Sequence, residues 1–341
     1  MHCKIFKKSY TFEDLALVPK FNKIKSRLDV DIETYLTKKT KIKIPIVAAN
    51  MDTVIGDELS DILIKLGTYP IFHRFCEISE IERYAAKYTN NCYLSCGIDY
   101  INILDIALKY NCRGVCIDIA NGHSEDMINV ITNIRNINND IEIIAGNVCT
   151  PEGCEDLILA GADAVKIGIG PGSACITRMM TGFGIPQMST ILECAVISKK
   201  YGIPLIADGG IEIPKHLTMA LAGGASSVMI GKLFAATIES ISEKQYIDNV
   251  LYVKYRGQAS KEFQIEKRGG LKKGTVEEGV SMNIKCIGSA EQLISKFCGG
   301  LKSGCTYGGA KNINELYNNA EFREVSINYT KESNFRSDIM N

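Results

Sequence analysis

The sequence predicts an α/β fold, a single (β/α)8 TIM barrel with long loops on its catalytic face. Three observations lead there. Eight short apolar, β-branched runs recur along the chain, most of them starting 22 to 27 residues apart. Polar and apolar residues alternate at helical length between most of these runs. The runs themselves are continuously apolar, as strands are when both faces of a parallel sheet are buried. Eight such units fit a closed barrel better than an open doubly wound sheet, and 341 residues suit one barrel domain spanning 1–341.

The strands are expected in order at 44–49, 70–74, 92–97, 114–118, 141–147, 164–169, 203–208 and 227–231. Helices are expected between them, as at 99–110 (DYINILDIALKY) and 151–160 (PEGCEDLILA). Two interruptions stand out. The sixth and seventh runs start 39 residues apart, and the gap holds GPGSACITRMMTGFGIPQ, too long for an ordinary βα connection. This is read as a cysteine loop at 168–187. After the eighth run comes a Lys- and Gly-rich stretch with little apolar periodicity, read as a mobile flap-like loop at 256–285, with a disordered excursion over 261–279 as the alternative. Residues 320–341 read as an extended polar tail.

Composition narrows the function. Lys+Arg and Asp+Glu balance at 39 each, without the basic excess of a nucleic-acid binder or a polybasic membrane-surface protein. No run reaches the length of a membrane span, and the N-terminal MHCKIFKKSYTFEDL has no apolar signal core, so a cytoplasmic protein is expected. The 13 cysteines are odd in number, scattered, and without a Cys-x-x-Cys pair, so neither a disulfide framework nor structural zinc is predicted. Most read as small core residues.

Several strand ends carry chemistry. Asp118 closes the fourth strand and Asn147 the fifth. Asp208-Gly209-Gly210 closes the seventh, and Gly231-Lys232 the eighth. Loops after strands seven and eight are the usual phosphate site of this architecture, with backbone N–H groups open to an anion. Asp208 can then accept from ribose hydroxyls; alone, Asp-Gly-Gly also reads as a tight turn. In the loop 168–178 (GIGPGSACITR), Gly168, Gly170 and Gly172 allow close approach of a ligand and Ser173 offers a hydroxyl. Cys175 is the one cysteine in a polar, flexible loop, close to Thr177 and Arg178, where a thiol can act as a nucleophile.

This loop resembles the active-site cysteine loop of the IMP dehydrogenase/GMP reductase family of purine enzymes. Similar segments run through roughly residues 5–325: AANMDTV (48–54), IDIANGHSE (117–125), AGNVCTPE (145–152), GADAVKIGIGPGS (161–173), IADGGI (206–211), VMIGKLFA (228–235) and CTYGGAKNINEL (305–316). Within the family the chain looks more like the reductase branch. The second and third strands start only 22 residues apart, leaving no room for the regulatory module that dehydrogenases usually insert there. The flap has no tyrosine between Arg256 and Tyr307, whereas dehydrogenases place an Arg-Tyr pair there to activate water. AANMDTV, IDIANGHSE and PQMSTILECA (186–195) also look like reductase segments, whereas Tyr255-Arg256-Gly257 looks like the dehydrogenase branch.

The resemblance implies reduction of GMP to IMP and ammonia by NADPH, with Cys175 adding to C2 of the base and Thr177 with Glu278 protonating the departing amine. It implies that Ser173, Asp208, Gly209, Gly210, Gly231 and Lys232 hold the ribose phosphate. Gly257, Gln258 and Ala259, with Thr275, Val276, Glu277 and Gly279, would meet the base. Asp118, Ile119, Ala120, Ile169 and Gly170, with Arg74, would line the nicotinamide side. Ser26, Arg27 and Ser303, Gly304, Cys305 and Thr306 would contact the adenosine end across a boundary of a homotetramer. A monovalent cation, potassium, would be held by Gly170, Gly172, Cys175 and Arg178. Arg74, Gln258 and Thr275 stand where reductases usually have lysine, methionine and arginine, leaving XMP open as a further substrate. A dehydrogenase without its regulatory module, a silent purine-binding barrel and a flavin-dependent barrel are the alternatives.

Overall fold

The computed structural model describes residues 8–271 and 273–333. All eight expected strands form: β1 (Ile46–Ala48), β2 (Ile71–Phe72), β3 (Tyr93–Cys96), β4 (Gly114–Asp118), β5 (Glu142–Val148), β6 (Ala164–Ile167), β7 (Leu205–Asp208) and β8 (Ser227–Ile230). They build one parallel sheet in the order β1-β8-β7-β6-β5-β4-β3-β2. The two end strands are consecutive in the chain, so the sheet curls into a barrel with its seam between β1 and β2.

Between the strands run α1 (Asp57–Lys65), α2 (Ile78–Lys87), α3 (Ile101–Lys109), α4 (Glu125–Ile137), α5 (Pro151–Ala160), α6 (Gln187–Tyr201) and α7 (Pro214–Ala222). Their starts follow from local chemistry. Thr150 accepts from the Gly153 N–H at 3.1 Å ahead of α5, where Pro151 needs no partner for its missing N–H. Ser124 accepts from the Met127 N–H at 3.3 Å ahead of α4.

The continuous apolar strands conceal a period of two. One buried residue of each strand, among them Val47, Ile71, Tyr93, Cys116, Ile206 and Met229, fills the barrel interior together with Leu36 and Ile42. Flanking strand residues such as Ile46, Phe72, Val115 and Leu205 pack outward against the helices. Two positions beyond Tyr93, Cys116, Ala164 and Ile206 stand Ser95, Asp118, Lys166 and Asp208. The interior therefore changes from apolar to polar toward the carboxyl ends of the strands.

The chain after β8 carries regular structure, including a helix within 261–279, where a disordered excursion was the alternative reading. It forms an antiparallel sheet of β9 (Lys244–Ile247), β10 (Val250–Arg256) and β11 (Ser281–Lys285), with helix α8 (Lys261–Arg268) between the last two. Ser260 caps α8 on the Phe263 N–H at 3.3 Å. Phe263 is fully buried and meets Phe75 edge-on, with ring centroids 4.8 Å apart. One apolar anchor thus docks a helix that charge composition alone made look solvated. The barrel ring is completed by α9 (Ala290–Tyr307), which packs against α7 and α1.

The expected tail also differs. Phe322–Glu324 pairs antiparallel with Leu15–Leu17, Phe322 packs on the core, and Asn328–Glu332 is helical. Residues 334–341 of that tail, and Cys3, lie outside the described residues. The other 12 cysteines are free thiols. Among the described residues no helix is long and apolar enough to cross a membrane.

Candidate active site

A cavity of about 450 Å³ opens at the carboxyl ends of the strands. It is a suitable size for a small ligand. Cys175, Thr177 and Glu278 line it together. The Cys175 thiol donates to Thr177 Oγ1 at 3.2 Å, and the Thr177 hydroxyl donates to Glu278 Oε2 at 2.7 Å. Two backbone bonds hold this contact between segments 101 residues apart. The Ile176 N–H donates to the Glu278 carbonyl at 2.9 Å, and the Val280 N–H to the Ala174 carbonyl at 3.0 Å. The flap therefore closes onto the cysteine loop as a short strand-like contact.

One wall carries Ser173, Asp208, Gly209, Gly210, Gly231 and Lys232. The flap edge supplies Gly257, Gln258, Ala259 and Gly279, and the Gln258 side chain is anchored by a 2.7 Å bond from its Nε2 to the Asn50 carbonyl. Asp118, Ile119, Ala120, Ile169, Gly170 and Arg74 also line the cavity, with the Arg74 guanidinium 4.6 Å over the Phe75 ring. Gly172 also faces the cavity.

The remaining expected residues lie elsewhere. Thr275 and Val276 are exposed on the flap, and neither they nor Glu277 line the cavity. Ser26 and Arg27 sit at a short helical turn that packs on α9, the helix carrying Ser303, Gly304, Cys305 and Thr306, and none of these reaches the cavity. Arg178 lies behind the cysteine loop, where its Nη2 donates to the Ile185 carbonyl at 2.6 Å and its Nε has no partner among the described residues.

The floor is a polar network centred on Lys166, a residue that the sequence reading passed over. Lys166 Nζ donates to Asp118 Oδ1 at 2.8 Å, Asp208 Oδ2 at 2.7 Å and Asn147 Oδ1 at 2.5 Å. Asn50 Nδ2 donates to Asp118 Oδ2 at 2.9 Å, and Asn147 Nδ2 to Asp208 Oδ2 at 2.9 Å. Burial alone would raise the Asp118 pKa, but the charge and hydrogen bond of Lys166 outweigh it and hold the carboxyl below its ordinary range. Burial would lower that of Lys166, and its two carboxylate neighbours reverse this. The signal was present: a lysine stands inside the apolar run AVKIGI, at an inward-facing position. Tyr255 was also passed over. It is buried, lines the cavity, and its hydroxyl lies where a Cβ on Gly231 would stand only 2.9 Å away.

The flap is tied down by Arg256. This buried guanidinium bonds Asp52 through Nη2 at 2.5 Å and Nε at 3.1 Å, and Glu266 through Nη1 at 2.5 Å. One side chain thereby joins the loop after β1, the end of β10 and helix α8.

Comparison with known proteins agrees with this architecture. The IMP dehydrogenase / GMP reductase domain matches residues 9–336. A GMP reductase of Shewanella pealeana is 35% identical over 326 residues, covering 92% of this chain and 94% of that protein. The inosine-5'-monophosphate dehydrogenase of Cryptosporidium parvum is 33% identical, covering 98% of this chain and 96% of that protein. The crystal structure of a GMP reductase variant from Trypanosoma brucei in complex with guanosine 5'-monophosphate superposes with a TM-score of 0.92, at 23% identity, over 97% of this chain and 98% of that one; this likeness concerns the fold. A cysteine loop closed by its flap, on a matching barrel and with the family domain spanning nearly the whole chain, leads to one conclusion: the chain belongs to the IMP dehydrogenase/GMP reductase family.

Proposed function

We propose that this oxidoreductase is a GMP reductase, converting GMP and NADPH into IMP, ammonia and NADP+. The observation that carries the reading is the continuous contact from Cys175 through Thr177 to Glu278. The Cys175 sulfur adds to C2 of the purine, the C2–amine bond breaks, and the amine leaves as ammonia with the proton delivered along Thr177 and Glu278. Without that proton an amide anion would have to leave. NADPH, when bound, supplies the hydride that reduces C2 as the carbon–sulfur bond breaks and IMP is released. The absence of any tyrosine between Arg256 and Tyr307, and the engagement of Arg256 with Asp52 and Glu266, favour reduction over hydrolysis of the adduct.

Asp208, with Oδ2 held by Lys166 and Asn147, keeps Oδ1 for a ribose hydroxyl. Ser173, Gly209, Gly210, Gly231 and Lys232 suit the phosphate, and Gly257 to Ala259 and Gly279 the base. Ile119, Ala120 and Ile169 suit the nicotinamide ring, with Asp118 and Arg74 lining the same cavity. Ser26, Arg27 and Ser303 to Thr306 are assigned to the adenosine end in a neighbouring subunit of a homotetramer. Thr275, Val276 and Glu277 would reach the base only if the flap shifts. Potassium suits the carbonyls of Gly170, Gly172 and Cys175, oxygen donors of the kind a hard cation prefers. Gly170 turns there with φ +86°, and a Cβ would strike the Arg178 side chain at 2.5 Å. Arg178 can join such a site only through its carbonyl. A cytoplasmic setting suits an enzyme whose 12 described cysteines are all thiols.

Product analysis tests the reading. Chromatography after incubation with GMP and NADPH should show IMP, NADP+ and ammonia in equal amounts. XMP formed from IMP and NAD+, with GMP left untouched, would overturn it in favour of dehydrogenase chemistry.

A further inference from the structure

We infer that Lys166 is a positioning residue that holds the nucleotide and cofactor halves of the site in one electrostatic unit. The inference rests on the proposed reaction, in which Asp208 takes the ribose and Asp118 faces the nicotinamide side. Lys166 has three ammonium protons, and each has an acceptor: Asp118, Asp208 and Asn147. Its side chain is 2% exposed, so no solvent shares this duty.

The placement is built into the barrel. Lys166 is two residues beyond Ala164 and so faces inward from β6, paired with Gly146 of β5 and Ile206 of β7. Position 146 is glycine where a Cβ would stand 2.7 Å from the Lys166 Cβ and 2.5 Å from its carbonyl oxygen. Asp118 comes from β4 on one side and Asp208 from β7 on the other. Both carboxylates lie within 2.8 Å of one nitrogen, and therefore within about 5.5 Å of each other. Without the cation they would repel, and the pair would draw a proton or move apart. Either outcome spoils Asp208 as an acceptor oriented toward a ribose. Arg74, Cys96 and Cys116 are the other titratable groups facing Asp118, and Cys116 and Tyr255 face Asp208; Lys166 is the cation that hydrogen-bonds both carboxylates.

The role is distinguishable from that of a strut in the fold. Equilibrium binding of GMP is measured by calorimetry for the full chain and for Lys166→Met, Lys166→Arg, Asp118→Asn and the Asp118→Asn/Lys166→Met double variant, each first checked for cooperative thermal unfolding. Lys166→Met is expected to weaken GMP binding by a factor on the order of ten or more, because it strands a buried charge beside the ribose site. Lys166→Arg is expected to recover most of this. The double variant is expected to bind GMP more tightly than Lys166→Met alone, since Asp208 no longer faces a second bare carboxylate, a coupling of roughly fivefold or more. Unchanged binding in Lys166→Met, or a double variant no better than the single one, overturns the inference. If the cycle behaves as expected but the wild type does not oxidise NADPH with GMP, the positioning role stands and the reaction assignment falls. A wild type that binds no GMP overturns both.

Discussion

Thr177 donates its hydroxyl proton to Glu278 at 2.7 Å while its oxygen accepts from the Cys175 thiol at 3.2 Å, joining the nucleophile to a carboxylate on the opposite loop. A hydroxyl can pass a proton through such an arrangement, whereas the carboxylate is the group that stores it. Glu278→Gln keeps an acceptor for Thr177 but cannot carry the proton. The expected outcome is a fall in kcat by about 10²- to 10⁴-fold, with GMP affinity within a few-fold of wild type. Steady-state kinetics beside equilibrium binding would check it, and a kcat within about fivefold of wild type would remove Glu278 from the proton path.

Arg256 is expected to govern flap order. Its side chain is 6% exposed and bonds Asp52 Oδ2 and Glu266 together. Arg256→Met leaves Asp52, itself buried, without its cation, a loss of about 3–5 kcal/mol when such a pair is broken from one side. Most of that loss should appear as local opening, because the barrel core does not include α8. Hydrogen exchange across 257–280 should accelerate, and the KM for GMP should rise, while exchange in β3 to β7 stays slow. Uniform acceleration across the whole chain would show that Arg256 serves global stability instead.

His73 gives a pH signature separate from catalysis. It is buried, and burial lowers its pKa from 6.5 to about 4. Its Nδ1 accepts from the Phe75 N–H at 3.2 Å, which requires an unprotonated nitrogen. The folded pKa lies below the unfolded one, so the unfolded chain takes up the proton first. Stability is therefore level above pH 7 and falls as the pH drops from 6.5 toward 4, by about 2 kcal/mol near pH 5. Asp57 and Glu266, both held down to about 2 by their arginine and lysine partners, lose their contributions only at lower pH. His73→Asn retains an acceptor for Phe75 and should flatten the urea-unfolding profile between pH 5 and 7; an unchanged slope there would assign it to other groups.

Thiol labelling should separate Cys175 from the structural cysteines. Cys92, Cys96, Cys116, Cys154, Cys194 and Cys305 are buried, and burial pushes Cys96 up to about 12 and Cys305 up to about 11. Under native conditions iodoacetamide should modify Cys175, and GMP should protect it. Peptide mapping that finds the buried thiols modified as fast as Cys175 would contradict this placement.

The barrel was legible because continuous apolar runs such as IPIVAA and IEIIAGN leave a parallel strand little alternative, and their spacing leaves room for one helix each. The cysteine loop was legible because its glycines and thiol are contiguous. Lys166 was harder to see because its significance comes from Asp118 and Asp208, which are distant in sequence and meet it only through barrel register. The elements inside the flap were hidden for a different reason. Phe263 is one buried residue in an otherwise charged segment, and neither its docking on Phe75 nor the reach of Arg256 to Asp52 leaves any period in the sequence. The segment 322–324 gains its strand from Leu15–Leu17, more than 300 residues earlier.

The most direct test of the account is the absorbance of reduced nicotinamide, followed with purified chain, GMP and NADPH beside a Cys175→Ala control. The account predicts a GMP-dependent fall that vanishes in the variant. No fall with GMP, together with a rise when IMP and NAD+ are supplied, would contradict it.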